Sequence, residues 1–321
     1  MNADFVSHAL SLERSLEGSR VLDIERWGSY QTYAQVMSEL SSLHRARPES
    51  LIPEKYGGSA DGLPLWAFRW KIRDAGQPRR LLLVGCVHAQ EYIGVEVLLS
   101  FLHEVVASRG ERAAGIDEIV LAPVLNVDGY REVEAALLNG RGSFQRFNAR
   151  GVDLNRNFPV HFDKDFWLHR LLKFFYHPGD EPASEPETRA LMSLAEKYRP
   201  RRAVSLHSFG ECLFWPYSGV AEATKREDEY RRWAKRMIKA SPRNYRASRL
   251  GTNMPWFKAK GSEIDYLHEM GALSFLIEIG NPLKNMRSPK NWFKPFAWYN
   301  PHNVDEACRV VCPMLHELTG S

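Results

Sequence analysis

The chain has 321 residues, of which 44% are hydrophobic, 12% aromatic and 26% charged. This composition is typical of a globular protein and excludes a collagen, a low-complexity array and a largely disordered chain. The formal net charge of +4 comes from 43 Lys and Arg against 39 Asp and Glu, dispersed along the sequence. Because the basic residues form no patch or arm, we expect no nucleic-acid partner.

The apolar segments are too short for a membrane protein. The densest run near the centre covers only residues 81–87, far below the length of a membrane span. The first residues include Asp4 and lack the basic and apolar segments of a signal peptide. We therefore expect no membrane partner and a cytoplasmic location, or a periplasmic or secreted one if a leader has been removed. The four cysteines have no C-x-x-C spacing, which predicts reduced core thiols.

Helical and strand patterns alternate along the chain. Residues 5–17 predict a short helix, the pair Thr32 and Gln35 predicts a capping box before a second helix, and residues 57–62 predict a turn. The later predicted elements are a strand over 65–72, a buried strand over 80–87, a helix over 93–106, a buried strand over 119–124, a helix from a second capping box at 184–187 to about 197, and buried strands over 203–206 and 272–279. This alternation predicts an α/β fold with a mixed, mostly parallel sheet and helices on both faces. Ligand sites in such folds lie at the carboxyl ends of the central strands.

Three of the predicted buried strands end in or near polar residues. His88 directly follows one strand, with Glu91 three residues later, His207 follows the second, and Glu278 lies inside the third. Each signal alone is weak, since the spacing His-x-x-Glu also occurs by chance, a lone histidine is more often structural, and a salt bridge to a nearby arginine is an alternative for a buried glutamate. Together, two histidines and Glu91 suit one Zn²⁺ ion with a position left for water. Glu278 is then the candidate general base for that water.

A fourth segment, residues 145–158, carries three arginines in eleven residues. Apolar Leu154 and Phe158 bracket its Asn-Arg-Asn sequence, which favours a packed segment over a solvated loop. The planar guanidinium of arginine binds carboxylates in a bidentate manner and stabilises oxyanions.

Taken in this order and spacing, these segments resemble the zinc metallocarboxypeptidase family of the pancreatic carboxypeptidases A and B and their bacterial relatives. The resemblance spans about residues 29–300. It is carried by His88-x-x-Glu91, the Gly-Val-Asp-Leu-Asn-Arg-Asn-Phe sequence at 151–158, Ser-Glu-Pro-Glu at 184–187, His-Ser at 207–208 and the strand that holds Glu278. It implies an eight-stranded mixed sheet, one zinc ion and a catalytic domain over 29–321. Residues 1–28 lie outside the resemblance and are predicted to form a helical extension.

The resemblance also implies roles for individual residues. His88, Glu91 and His207 correspond to the zinc ligands, and Glu278 corresponds to the general base that activates water and then protonates the leaving amine. Arg146 corresponds to the arginine that polarises the scissile carbonyl.

Arg141 competes with Arg146 for that role, because the alignment crosses a variable loop. Asn155 and Arg156 correspond to the pair that holds the terminal carboxylate of the substrate. The implied partner is therefore a peptide with a free C-terminal carboxylate.

Several positions depart from the pancreatic pattern. Gln90 replaces a basic residue, and Phe209 stands at a substrate-contacting position where the pancreatic enzymes have tyrosine. The tyrosine that covers the terminal residue has no clear match, because the aligned residues 253–257 read Asn-Met-Pro-Trp-Phe. Tyr266 is a candidate substitute.

The segment over 261–266 resembles the floor of the pocket for the terminal side chain. Ile264 in that pocket favours an apolar side chain. A one-residue slip that turns Glu263 or Asp265 inward favours a basic or amino-bearing one instead.

The leading hypothesis is a zinc exopeptidase that releases C-terminal residues from peptides. The alternative within the same chemistry is an amidase that cleaves murein peptides between γ-D-glutamate and diaminopimelate. The form of the sequence at 151–159 and the lack of an inhibitory pro-domain resemble bacterial members of the family. A binding module without activity is disfavoured because the catalytic positions are all present. A deacylase of the aspartoacylase type would lack the Asn155 and Arg156 pair together with Ser-Glu-Pro-Glu.

Overall fold

The structure is a computed structural model that describes residues 2–16, 30–108, 113–167, 171, 176–253, 258–281, 283 and 289–320. Its centre is one eight-stranded mixed sheet with the strand order β1-β2-β4-β3-β5-β8-β6-β7. The strands are β1 Leu51–Gly58, β2 Pro64–Lys71, β3 Arg80–Val84, β4 Glu118–Ala122, β5 Arg202–His207, β6 Cys212–Trp215, β7 Arg246–Arg249 and β8 Leu273–Glu278.

Ten α-helices and two short 3₁₀ helices are present in the described residues. The α-helices are α1 Ala3–Leu16, α2 Tyr33–Ala46, α3 Ile93–Ala107, α4 Val127–Leu138, α5 Pro186–Tyr198, α6 Glu227–Ala240, α7 Leu250–Asn253, α8 Glu263–Glu269, α9 Pro295–Tyr299 and α10 Val304–Thr319. The 3₁₀ helices are Leu154–Arg156 and Pro289–Asn291. No described helix combines the length and the apolar character that crossing a bilayer requires.

The centre of the sheet is parallel. β3 pairs in parallel with both β4 and β5, and β5 pairs in parallel with β8. β6 and β7 also run parallel to each other, whereas β1, β2 and β6 make the antiparallel pairings. Four of the seven strand pairings are therefore parallel, as the predicted mixed sheet requires. The carboxyl ends of β3, β5 and β8 consequently meet at one edge.

Helices cover both faces of this sheet. Because successive strand side chains point to opposite faces, Leu81 and Leu83 of β3 join one apolar cluster while Leu82 and Val84 join another. The first cluster contains residues of α2, α3, α4, α6 and α10, and the second contains Leu191 and its neighbours on α5. The predicted α/β class is confirmed.

Most predicted elements are present with shifted ends. The strand predicted over 80–87 ends at Val84, and the first helix runs over Ala3–Leu16. That helix packs against β2, with the Phe5 ring 5.0 Å from the rings of both Trp66 and Phe68. Residues 17–29 lie outside the described residues, so the predicted boundary at 28 stays a prediction. All four cysteines are buried and free, as expected.

The two predicted capping boxes have different outcomes. Thr32 accepts a hydrogen bond from the Gln35 backbone, and the Gln35 side chain accepts one from the Thr32 backbone. The second box is wrong, since α5 is capped by Glu185 and begins at Pro186. The Ser184 hydroxyl instead donates to Glu185 Oε1 at 2.8 Å and accepts from the Asn157 amide at 2.9 Å.

Three strands escaped prediction. β1 includes Gly57 and Gly58, which the sequence pattern assigns to a turn, and β6 and β7 have only four residues each. Such short segments have too few residues for a periodic pattern. β6 and β7 nevertheless form one wall of the cleft at the carboxyl ends of the central strands.

Candidate metal centre

The polar residues predicted at three strand ends come together at one edge of the sheet. His88 and Glu91 follow β3, while His207 and Glu278 are the last residues of β5 and β8. His207 and Glu278 are also direct partners in the parallel ladder of those two strands. Because the three strands are adjacent and parallel, the chain reaches this edge three times.

Gly94 allows the helix after Glu91 to approach β5 closely. A Cβ atom at this position would lie 2.9 Å from the carbonyl oxygen of Leu206, so a larger residue would push α3 away. With α3 in contact, Glu91 Oε2 lies 2.9 Å from His207 Nδ1 and accepts a hydrogen bond from the backbone of Ser208 at 3.2 Å.

Both histidines turn the same ring atom toward a common point. His88 Nδ1 lies 2.9 Å from Glu91 Oε1 and 3.0 Å from His207 Nδ1. On the opposite side of each ring, His88 Nε2 lies 3.1 Å from Asp153 Oδ1 and His207 Nε2 lies 2.8 Å from Glu263 Oε1. A carboxylate beside Nε2 places the proton on that nitrogen, which leaves the Nδ1 lone pairs facing each other.

This arrangement of donors fits a divalent metal. Two Nδ1 lone pairs and a carboxylate repel one another unless a cation lies between them, and their ligand atoms all lie within 4.8 Å of one another. All three residues are buried, with at most 3% of their surface exposed. Two histidines and one glutamate form a donor set that suits Zn²⁺, and the outer carboxylates orient the rings.

The pKa shifts of Glu91 and His207 show how strongly the charges of the cluster interact. Burial alone would raise the pKa of Glu91, but His88 and His207 hold it well below its usual range. Burial alone would lower the pKa of His207, but Glu91 and Glu263 raise it to about 10. The carboxylates are therefore ionised and favour a cation at the point where these side chains meet, either a second proton on His207 or, in its place, a metal ion.

Glu278 differs from these carboxylates because it forms no ion pair with the described residues, although His207 and Arg146 lie near enough to lower its pKa. Burial and the nearby charge of Glu91 raise its pKa to about 8. Its Oε2 atom is buried and has no hydrogen-bond partner among the described residues. The side chain lines the same cleft as His88 and Glu91, a cleft of about 360 Å³.

Of the two candidate arginines, Arg146 lies in the cleft beside the metal cluster, whereas Arg141 does not. Arg146 Nε donates to Asp153 Oδ2 at 2.9 Å, and its Nη1 lies 4.0 Å from Glu91 Oε1. Arg141 is exposed and lines a separate surface pocket with Glu132.

Asn155 and Arg156 lie in the 3₁₀ helix Leu154–Arg156 and line the same cleft. The segment packs tightly, since a Cβ atom at Gly261 would lie 2.2 Å from the Arg156 carbonyl oxygen and its φ is +74°. Glycine is required there on both grounds. Asn155 Oδ1 accepts a hydrogen bond from the Glu263 backbone at 3.3 Å, which ties this helix to the metal cluster.

The wall of the cleft on the side of β6 and β7 is largely apolar. Cys212, Phe214 and Leu276 line it, together with Leu250. Ile264 is fully buried and packs in the same apolar cluster, so it backs this wall.

Glu263 and Asp265 do not face the cleft, which excludes the one-residue slip. Glu263 is held by His207, and the Asp265 carboxylate accepts hydrogen bonds from the backbones of Ser218 and Gly219. Asp265 also lies 2.9 Å from a ring nitrogen of His161.

The aromatic residues of the cleft are only partly those expected. Phe209 lines it and contacts Tyr299, with ring centroids 4.9 Å apart. Tyr176 lines it as well, beneath the guanidinium groups of Arg146 and Arg156. Tyr266 instead donates a hydrogen bond to Glu196 and packs in the second core cluster.

Residues 254–257, which belong to the segment aligned with the covering tyrosine, lie outside the described residues.

The sequence analysis did not identify several residues that line or support the cleft. Asp153 lies within the arginine-rich segment over 145–158. Its only sequence signal is that it is the single carboxylate in that segment. No pattern marks Tyr176 or Tyr299, because neither follows a strand of the sheet.

Comparison with known proteins gives a consistent result. The family model described as zinc carboxypeptidase matches residues 36–298. Zinc carboxypeptidase A 1 of Anopheles gambiae is 24% identical over 291 residues, which cover 83% of this chain and 65% of that protein. Mast cell carboxypeptidase A of Mus musculus is 22% identical over 258 residues, 76% of this chain and 61% of that protein. The chain thus spans about half to two thirds of the length of the curated relatives it matches first.

Two solved structures share the fold. Bovine thrombin-activatable fibrinolysis inhibitor, solved with a tick carboxypeptidase inhibitor, has a TM-score of 0.76 and 19% identity over 91% of this chain and 96% of that one. A murein-tripeptide amidase from Escherichia coli has a TM-score of 0.52 and 22% identity over 86% of this chain and 95% of that one.

Proposed function

This chain belongs to the zinc carboxypeptidase family, and from that premise we propose that it is a zinc-dependent exopeptidase that hydrolyses the C-terminal peptide bond of peptides. The observation that carries the proposal is one cleft that holds three kinds of group. His88 and Glu91 of the metal cluster, the partly buried acid Glu278, and the paired Asn155 and Arg156 all line it.

His88, Glu91 and His207 would hold the zinc ion. When bound, zinc supplies Lewis acidity that activates water and polarises a carbonyl. Asp153 and Glu263 keep the protons on the outer ring nitrogens, so both Nδ1 atoms stay available as ligands.

Glu278 would act as the general base. A carboxyl whose pKa is raised to about 8 exchanges a proton near neutral pH, where both of its protonation states are accessible. It accepts a proton from the attacking water and returns it to the nitrogen of the departing residue. Burial also keeps bulk water away from its unpaired Oε2 atom.

The arginines would position the substrate. Arg156 and Asn155 hold the terminal carboxylate, and Arg146, held by Asp153, donates to the oxygen of the scissile carbonyl. Fixing the free carboxylate would place the last peptide bond beside the metal ligands and Glu278, which would make the reaction an exopeptidase reaction.

A second candidate is an amidase of murein peptides. The observation that favours it is the fold shared with the murein-tripeptide amidase. Its substrate also carries a free carboxylate beside the scissile amide, so the same side chains would act on it.

One digest separates these candidates. A pool of L-peptides with varied C-terminal residues, their amidated copies and a murein tripeptide that ends in diaminopimelate is treated with the zinc-loaded protein and analysed by mass spectrometry. We expect loss of single C-terminal residues from the free acids only, and no loss when a zinc chelator is present. Cleavage of the murein tripeptide alone would favour the amidase, and equal cleavage of amidated peptides would contradict both.

A further inference from the structure

Arg246 is the basic residue on the otherwise apolar wall of the cleft. It begins the edge strand β7 and is paired in register with Cys212 of β6, which is paired in turn with Glu278 of β8. Directly opposed residues project to the same face of a sheet. Arg246 and Glu278 therefore lie on one face, two strand spacings or about 10 Å apart.

The charge of Arg246 is not neutralised by the residues that the structure describes. Its guanidinium donates to Cys212 Sγ at 3.5 Å and forms no ion pair with a described carboxylate. Its neighbours on the chain differ, because Arg243 pairs with Glu211 and Arg249 pairs with Glu227. An arginine on a cleft wall with no carboxylate partner among the described residues is suited to bind one on a ligand.

Only one part of the proposed substrate can reach it. Asn155 and Arg156 are assigned to the terminal carboxylate and Arg146 to the scissile carbonyl, so the remaining space takes the side chain of the last residue. Cys212 lies between Glu278 and Arg246 in the strand register, and together with Phe214 and Leu276 it offers that side chain an apolar surface on the way to Arg246. Methylene groups followed by a negative charge match this order of contacts.

We propose that Arg246 selects a C-terminal residue whose side chain carries a second carboxylate. The inference rests on the proposed function and narrows its substrate class. Glutamate at the end of a peptide and diaminopimelate at the end of a murein tripeptide both present this chemistry. Cys212 and Leu276 would contact the methylene groups in either case.

The test uses two matched substrate pairs with the zinc-loaded full chain. The first pair is a peptide ending in glutamate and the same peptide ending in glutamine. The second pair is the murein tripeptide ending in diaminopimelate and its analogue ending in lysine, which lacks the second carboxylate. We expect the wild type to favour the carboxylate member of one pair by about tenfold in kcat/KM, as a charge-assisted hydrogen bond at a partly exposed site supplies.

Variants on one strand assign the preference to Arg246. Arg246→Gln should abolish the preference, whereas Arg249→Gln, which removes the same charge from the opposite face of β7, should keep it. Retention of the preference in Arg246→Gln, or equal cleavage within both pairs by the wild type, would overturn the inference.

A binding measurement separates this inference from the proposed function. Calorimetry on zinc-loaded Glu278→Gln and on the double variant with Arg246→Gln measures affinity for the same pairs without turnover. A preference in binding that Arg246→Gln removes supports the inference even if no substrate is cleaved, in which case only the proposed activity fails. If neither binding nor cleavage occurs for any substrate, both proposals fail.

Discussion

The cleft has two halves that are built differently. The metal half lies at the carboxyl ends of the central strands, and its carboxylates Glu91, Asp153 and Glu263 all face histidine or arginine. The other half consists of the short strands β6 and β7 at the edge of the sheet, where an apolar wall ends at an exposed arginine. The side chains of the first half hold one another in place through these contacts. In the second half, Arg246 forms no ion pair with a described residue, so its charge is available to a ligand.

Removing a ligand should have the largest effect on the metal half. His88→Ala deletes one of three converging donors, so we expect the bound zinc to fall from one ion per chain to nearly none. Elemental analysis after dialysis against a weak chelator measures this change. His103→Ala, on an exposed face of α3, serves as the control and should retain the ion. A fully loaded His88→Ala protein would show that the metal is held elsewhere.

Glu278→Gln tests the proton-transfer step separately from metal binding. Glu278 lies where the two halves of the cleft meet. The amide keeps the size of the side chain but cannot accept the proton, so kcat should fall by about 10²–10⁴-fold. Steady-state kinetics on a cleaved peptide, with the zinc content measured on the same sample, checks both parts. Wild-type turnover at full zinc content would remove Glu278 from the role of base.

Glu263→Gln tests whether the outer carboxylates support the metal half. The substitution weakens the hold on the His207 Nε2 proton, and zinc affinity should fall by about 10–100-fold. Competition with a chromophoric chelator measures this affinity directly. Glu269→Gln, at the exposed end of the same helix, is the matched control. Unchanged affinity in Glu263→Gln would mean that packing and the Ser205 hydroxyl, 3.0 Å from Nε2, are sufficient to orient the His207 ring.

The smallest effect on activity is expected from Glu96, which does not line the cleft. Its environment contrasts with that of Glu91, five residues earlier. Burial raises the pKa of Glu96 to about 7, although the Gln31 backbone donates to it at 2.7 Å. In the unfolded chain this carboxyl ionises at its ordinary lower pKa, so stability falls as pH rises from about 4.5 to about 7 and stays low above that range.

Replacing Glu96 with glutamine removes this pH dependence. As the pH rises from 5 to 8, Glu96→Gln should gain about 2–3 kcal/mol of unfolding free energy relative to the wild type. Urea denaturation at the two pH values measures the difference, and Glu222→Gln on the surface should show none. A loss instead of a gain would mean that the ionised carboxylate is better solvated than its burial indicates.

The two halves were also unequally predictable. Each of His88, His207 and Glu278 follows or ends an apolar run, and the parallel arrangement of the three strands brings them together without further information. Arg246 gave no such signal, because its position depends on the register of β6 and β7, and four residues per strand are too few to reveal a period. Glu263 was visible as an acid near the pocket, but only the packing of α8 shows that it turns to His207.

The location of Arg246 on the outermost strand also bears on how such enzymes diversify. Among the described strands, β7 has a hydrogen-bonded neighbour on one side only, so a substitution on it disturbs fewer contacts than one on β5 or β8. The substrate selection proposed for Arg246 would therefore be open to change at little cost in folding stability, while the metal cluster at the central strands stays intact. Under that proposal, selection could explore new substrates at this border of the sheet without first losing the proposed catalytic groups.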